Sequence, residues 1–267
     1  MIHFTKLHGN GNDFILIDEY NGEIVPEKSA FARKYCDRRF GIGADGVLYL
    51  GKSDKADIRM RIFNSDGSEA EMCGNGIRCL AKYALDEGYI KENASVETPV
   101  GNLSLALRDE DKTWVTVNMG IPVFERAKIP AQGVGEFLNV ALHGYNVSAV
   151  NTGVPHAVIF VDSFKPELMS IAPKIRYDPV FPKGINVNFV ILNSSDEITV
   201  QTYERGVEAE TLSCGTGSVA CVAVAHKLGK TGKKVKVNTK GGKLKITLAN
   251  DGAYIEGPAE RVFEGTV

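Results

Sequence analysis

The segments MCGNGIRCLAKYAL (72–85) and SCGTGSVACVAVAHKL (213–228) each read Cys-Gly-x-Gly followed by an apolar-rich helical stretch, and their cysteines lie 141 positions apart. The same offset recurs downstream, where VETPVGNLSLAL (96–107) falls on VNTKGGKLKITL (237–248). Thr98 meets Thr239, Gly101 meets Gly242, and Leu103, Leu105 and Leu107 meet Leu244, Ile246 and Leu248. Upstream, Phe40 falls opposite Phe181 at this spacing, and RMRIFNSDGSEAEMC (59–73) resembles TVQTYERGVEAETLSC (199–214) with one additional residue in the second copy. GNDFILID (11–18) has a looser counterpart in GVPHAVIFVD (153–162). Matches in one order along the chain mark an internal duplication, so the chain should build one supersecondary unit twice.

Each copy reads as three strands, a Gly-rich turn, a helix and a hairpin. Ile15–Ile17 and Val158–Val161 are short β-rich runs, and Arg59–Phe63 and Thr199–Tyr203 alternate with period two. The helices should run to about residues 86 and 227, where Gly88 and Gly229 break them. Runs of strands around a single helix per half predict an α+β fold of two pseudo-symmetric domains. Each is expected to be a mixed, mainly antiparallel sheet or open barrel around a central helix. The 267 residues fit two domains of about 120–140 residues. The seam falls at Met119–Pro122, giving domains 1–119, to which the tail 261–267 can be joined, and 120–260. The segment Phe124–Tyr145 has no partner in the first half and begins the second domain.

A net charge of −2 supplies no basic field for nucleic acid or anionic membrane. The lysines between 227 and 245 read as the outer face of a solvated hairpin. No run of 18 apolar residues occurs, and MIHFTKLHGNGNDF lacks the pattern of a signal peptide. Five cysteines without a CxxC pair suggest neither a disulfide scaffold nor a zinc ribbon, and a reducing cytoplasm suits them. Cys36, Cys79 and Cys221 read as small buried fillers, and Arg78 as structural.

Cys73 and Cys214 are different. A cysteine at a strand-to-helix turn meets the unsatisfied N–H groups and the positive dipole end of the helix, which favour its thiolate. Gly74, Gly76, Gly215 and Gly217 leave backbone amides open to an anion such as a carboxylate. Two equivalent thiols facing each other across a cleft would suit inversion of a stereocentre. One removes the α-proton from one face, and the other delivers a proton to the opposite face. Asn12 and His156 lie at corresponding first-strand loops, and Asn64 and Glu204 end the strands leading into the two turns. His156 and Glu204 are placed to exchange protons with the cysteines and tune them. Arg205 suits a bidentate grip on a carboxylate, or else a surface ion pair, and Asn186 is a strand or turn residue on composition alone.

The blocks FTKLHGNGNDF (4–14), NSDGSEAEMCGNGIRC (64–79), NTGVPHAV (151–158), INVNF (185–189) and YERGVEAETLSCGTG (203–217) together resemble the diaminopimelate epimerase family. That resemblance implies conversion of LL-2,6-diaminopimelate to the meso form, without pyridoxal phosphate or metal, in lysine and peptidoglycan biosynthesis. It also implies a homodimer. Carried over by residue, Cys73 and Cys214 are the acid–base pair, and Gly74, Asn75, Gly215 and Thr216 hold the reacting carboxylate. Asn12, Asn64, Asn186, Glu204 and Arg205 bind substrate, and His156 and Glu204 tune the thiols. The chain departs from the family pattern at Val154, where many members have Asn, and at Gly46, where some have Gln. The block GVEAET also carries one residue more than the commonest spacing.

Three rival readings remain at this level. A racemase of proline, hydroxyproline or histidine would keep the chemistry and change the substrate, although the asparagines and the Glu-Arg pair favour a second polar end. A thiol–disulfide redox protein would use the same cysteines, and an amino-acid binding protein would need the cleft but not both thiols.

Overall fold

The first unit starts with an antiparallel hairpin of β1 (His3–Gly9) and β2 (Asn12–Glu19), turned by Asn10 and Gly11 at positive φ. The chain crosses through α1 (Lys28–Tyr35) to β3 (Gly46–Gly51), parallel to β2, and returns antiparallel in β4 (Ile58–Asn64). After the short β5 (Glu69–Ala70), α2 (Gly74–Asp86) leads to β6 (Asn93–Thr98), parallel to β4. Antiparallel β7 (Gly101–Leu107) and β8 (Trp114–Asn118) follow. The computed structural model describes residues 1–107 and 114–267.

The second unit repeats this order after a short β9 (Val140–Leu142) that pairs with the strand Tyr145–Asn151. β10 (Tyr145–Asn151) and β11 (Pro155–Phe160) form the hairpin, and α3 (Glu167–Arg176) crosses to β12 (Asn186–Leu192), parallel to β11. β13 (Glu197–Glu204) returns antiparallel, followed by β14 (Ala209–Thr211) and α4 (Gly215–Lys227). The hairpin of β15 (Lys234–Thr239) and β16 (Gly242–Ala249) closes the series, with β15 parallel to β13. β17 (Gly252–Pro258) and β18 (Glu260–Thr266) complete the chain, and β18 pairs antiparallel with β1. The units comprise Met1–Asn118 with Glu256–Val267, and Met119–Ile255.

Each unit wraps its strands around one helix: α2 packs on β1, β2, β3, β4, β8 and β18, and α4 on β10, β11, β12, β13 and β16. In α4 every residue from Gly215 to Ala225 is buried, so the helix has no solvent face in its first three turns. Val219, Val222 and Val224 each cost about 0.5 kcal/mol in helix propensity but gain about 1.5–3 kcal/mol on burial, so tertiary packing decides the conformation. Both central helices end before a glycine in the left-handed region, Gly88 at φ 76° and Gly229 at φ 69°. The hairpin turns are also copies: Thr98 Oγ1 donates to Gly101 O at 2.7 Å, and Thr239 Oγ1 to Gly242 O at 2.9 Å. Lys234, Lys236, Lys243 and Lys245 point to solvent and alternate with buried Val235, Val237, Leu244 and Ile246. That is the outward-facing lysine hairpin expected from the sequence.

Two expectations need correction. Among the described residues each unit holds two α-helices rather than one, because α1 and α3 bridge the first parallel strand pairs. α1 has only eight residues, and α3 carries Pro173, which removes a helical donor, so neither stands out by periodicity. Phe40 and Phe181 keep the 141-residue offset but not a common environment. Phe181 is buried against Phe137, whereas Phe40 is 91% exposed on a turn whose amides are held by Asp37. Among the described residues, no helix is long and apolar enough to cross a membrane.

Candidate active site

Both cysteines cap a central helix. Cys73 precedes α2 in an extended conformation (φ −144°, ψ 114°), and Gly76 N donates to its Sγ at 3.4 Å. Cys214 precedes α4 in the same way (φ −118°, ψ 113°), with Gly217 N at 3.4 Å from its Sγ. Each sulfur therefore occupies the position of an N-cap oxygen, accepting one of the amides that the helix itself leaves unsatisfied. A thiolate gains more than a thiol from such a donor and from the adjoining dipole. The other three cysteines are buried, and burial pushes the Cys36 and Cys79 thiols up to about 12 and the Cys221 thiol well above its ordinary value. They stay protonated and serve as packing.

In the first unit, Asn12 begins β2 and brings its Oδ1 to 3.7 Å from Cys73 Sγ and 3.0 Å from Asn75 Nδ2. The other end of the Asn12 amide donates to Asp45 Oδ2 at 2.7 Å. Asp45 also accepts from Arg38, which grips Asp13 through both terminal nitrogens. Burial alone would raise the Asp13 carboxyl, but the hydrogen bonds from Arg38 and then Lys6 outweigh it and hold it down at about 2. Asn64 ends β4 opposite Gly46 and spends its side-chain amide on Ser68 Oγ at 3.0 Å. Gly46 itself has no room for a side chain, since a Cβ there would lie 2.7 Å from Phe63 O. The fold of this chain thus removes side-chain chemistry at that departure from the family pattern.

In the second unit, a buried chain of hydrogen bonds leads to Cys214. Asn188 Nδ2 donates to Ala157 O at 2.8 Å and to His156 Nδ1 at 3.1 Å, while Thr202 Oγ1 donates to Asn188 Oδ1 at 2.9 Å. With Nδ1 accepting, the proton of His156 sits on Nε2 and points at Thr216 Oγ1, 2.9 Å away. Thr216 Oγ1 lies 3.5 Å from Cys214 Sγ, so its hydroxyl hydrogen is left to face the sulfur. His156 is therefore linked to the Cys214 sulfur through the Thr216 hydroxyl. Burial, and then the nearby charge of Arg205, push its pKa down to about 3, so it remains neutral at any ordinary pH. Asn186 donates to Pro155 O and accepts from Arg205 N, which ties the start of β12 to the end of β13. Glu204 ends β13 opposite Ala209, and the Arg205 guanidinium donates to Lys183 O at 3.3 Å.

The structure thus gathers Asn12, Cys73, Gly74 and Asn75 at one helix start, and His156, Cys214, Gly215 and Thr216 at the other. Asn188 and Asp45 were not singled out in the sequence. Asn188 carried a signal, because Asn186 and Asn188 alternate with Val187 and Phe189 and so put two amides on one face of a buried strand. Asp45 carried none. Gly217 is fixed by this packing as well: a Cβ would lie 2.5 Å from Asn188 Oδ1 and 3.2 Å from Cys214 Sγ. Gly217→Ala is expected to displace Asn188, lowering stability by about 1–3 kcal/mol and activity with it. Urea unfolding beside a turnover assay checks this, and wild-type values of both would contradict the geometry.

Comparison with known proteins gives one family. The family model described as Diaminopimelate epimerase matches residues 4–125 and 148–262. Proteins named diaminopimelate epimerase are 60% identical in Methanothrix thermoacetophila (100% of this chain, 96% of that one) and 56% in Archaeoglobus fulgidus (99% and 95%). Another in Desulfitobacterium hafniense is 44% identical over 100% of this chain and 98% of its own. Among solved structures, a Bacillus anthracis phenazine biosynthesis protein of the PhzF family superposes with a TM-score of 0.73 at 18% identity, covering 100% and 98% of the two chains. A probable proline racemase from Agrobacterium radiobacter gives 0.73 at 17%, covering 100% and 93%. At such identities these two share the fold.

Proposed function

The chain belongs to the diaminopimelate epimerase family, and from that membership we propose that it interconverts LL- and meso-2,6-diaminopimelate with Cys73 and Cys214 as its acid–base pair. It is an isomerase, and its place is in lysine and peptidoglycan-precursor biosynthesis. The observation that carries the assignment of the pair is the repeated cap, with each sulfur accepting a helix N-terminal amide at 3.4 Å in an equivalent position of a duplicated unit.

Epimerisation takes a proton from one face of the α-carbon and delivers one to the other, so it uses one thiolate and one thiol at a time. The thiolate forms readily where an amide and a helix dipole already favour it. As the C–H bond breaks, charge moves onto the α-carboxylate, which the N–H groups and positive dipole ends at helix N-termini stabilise. Gly74 and Asn75, and Gly215 and Thr216, supply the amides at these two starts. Thr216, driven by neutral His156, offers its hydroxyl hydrogen to the Cys214 sulfur. Asn12 offers an acceptor to the Cys73 thiol. Asn64, Asn186, Glu204 and Arg205 recognise the polar groups of the substrate, and a polar distal end separates this substrate from proline. After one turnover the two sulfurs have exchanged protonation states, and the reverse reaction restores them.

The same proposal includes a homodimer working in a reducing cytoplasm, where both thiols persist. Exposed Val262 and Phe263 on β18 offer apolar surface to a second copy, and sedimentation of the reduced protein tests that assembly. The direct test is incubation with LL-diaminopimelate in D₂O. Deuterium should enter the α-position as the meso isomer appears, with no such exchange in proline. Equal turnover of proline, or no exchange at all, would overturn the reading.

A further inference from the structure

Four side chains at the first helix start form one hydrogen-bond chain with a fixed direction. Arg78 is fully buried and donates to Asn75 Oδ1 at 2.8 Å. Asn75 Nδ2 donates to Asn12 Oδ1 at 3.0 Å, and Asn12 Nδ2 donates to Asp45 Oδ2 at 2.7 Å. A guanidinium has only donors and a carboxylate only acceptors, whereas an amide presents either end with almost the same shape. The two charged ends therefore decide which way both amides point. Reversing either amide would set donor against donor at one junction and acceptor against acceptor at the other.

We propose that Arg78 and Asp45 are positioning residues which, acting from opposite ends of this chain, hold the Asn12 carbonyl oxygen toward Cys73. The proposal rests on the acid–base role of Cys73 given above. The anchoring of both ends supports it. Arg78 also donates to Gly74 O at 2.9 Å, Asn10 Oδ1 at 3.3 Å and Pro258 O at 3.4 Å, so its guanidinium cannot swing away. Asp45 is held by Arg38 at 2.6 Å and by the Asp13 amide at 3.2 Å. The arrangement is confined to one half of the duplication, because Val219 stands in α4 at the 141-residue offset from Arg78. There, neutral Asn188 and His156 set the direction instead.

Arg78 brings a second consequence. All its hydrogen bonds go to uncharged oxygens, and of the two cysteines whose charge would act on it, Cys79 and Cys73, only Cys73 sits at the helix start that favours a thiolate. Burial lowers its pKa only to about 10, so it is charged at neutral pH, while Cys79 stays a thiol. Asp13, the carboxylate on a neighbouring strand that acts on α2, is already neutralised by Lys6 and Arg38. The positive charge of Arg78 thus favours the Cys73 thiolate, and Asn12 receives the proton side of the thiol.

The test compares Asp45→Asn, Arg78→Lys and Arg78→Gln with the wild type by kcat/KM and by alkylation with iodoacetamide across pH. Peptide mass spectrometry resolves Cys73 from Cys214, which serves as the internal reference. Asp45→Asn is isosteric at an exposed site, and its amide lets Asn12 reverse, so kcat/KM should fall about 10- to 100-fold with little change in Tm. Arg78→Lys keeps the charge but loses the fork, and should lose activity while Cys73 retains its alkylation midpoint. Arg78→Gln should also move that midpoint upward by about one pH unit, leaving Cys214 unmoved. Asp45→Asn within twofold of wild-type kcat/KM overturns the positioning role. An unshifted Cys73 midpoint in folded Arg78→Gln overturns the charge effect. If the buried Arg78 variants do not fold, Asp45→Asn decides alone. Wild-type protein that exchanges no deuterium into diaminopimelate refutes the functional reading instead, and the alkylation profiles then still judge Arg78, since they need no substrate.

Discussion

Cys73→Ala and Cys214→Ala are each expected to lower kcat for epimerisation of diaminopimelate by about a thousandfold or more, and the double variant should be no worse than either alone. A positioned acid or base contributes about 10²- to 10⁴-fold, and a reaction needing both loses its route when either is removed. Stability should change little, because the contacts of each sulfur are long, with the cap bond at 3.4 Å, and removal of a cap costs on the order of 1 kcal/mol. Circular dichroism and Tm separate loss of chemistry from loss of fold. Turnover above a tenth of wild type in either variant would end the two-thiol mechanism.

Acid should destabilise the protein through His156 well before its carboxylates are protonated. Burial holds this imidazole neutral down to about 3, whereas the unfolded chain takes up the proton near pH 6.5. Between those values the unfolded state binds more protons, so stability falls as pH falls. It is unaffected above about 7. The loss should reach about 2 kcal/mol at pH 5. Asp13 adds a separate loss at lower pH. Its folded pKa of about 2 lies below that of an exposed carboxyl near 3.9, so its stabilisation disappears as pH falls from about 4 to 2. Urea unfolding at pH 7.5 and 5.0 measures the His156 window. His156→Gln keeps a donor for Thr216 and removes the titration, so its stability should lose most of that pH slope. A slope equal to wild type would place the acid sensitivity elsewhere.

These expectations depend on contacts with very different visibility in the chain. The two cap motifs, the helix ends at Gly88 and Gly229, and the turns at Thr98–Gly101 and Thr239–Gly242 are local. Each is written within a few consecutive residues, and duplication repeats it, so pattern alone exposes it. α1 and α3 are also local but too short, or interrupted by proline, to rise above the strands beside them. Arg78 illustrates the opposite case. As one arginine on a helix it reads as structural, and its role depends on oxygens at positions 10, 74, 75 and 258. Asp45 meets Asn12 across 33 residues, and Asn188 meets His156 across 32.

The sequence by itself determined the duplication, the α+β fold, the two helix-capping cysteines and the family. The first three follow from short-range periodicity and from residue identity at fixed spacing, and the family from the resemblance of its sequence blocks. Only the tertiary structure decided that His156 is neutral and reaches Cys214 through Thr216, that Gly46 leaves no room for a side chain, and which way the Asn12 and Asn75 amides face. The physical reason is that burial and hydrogen-bond direction belong to the neighbours a residue acquires on folding, and those neighbours are chosen by strand pairing and helix packing between distant parts of the chain.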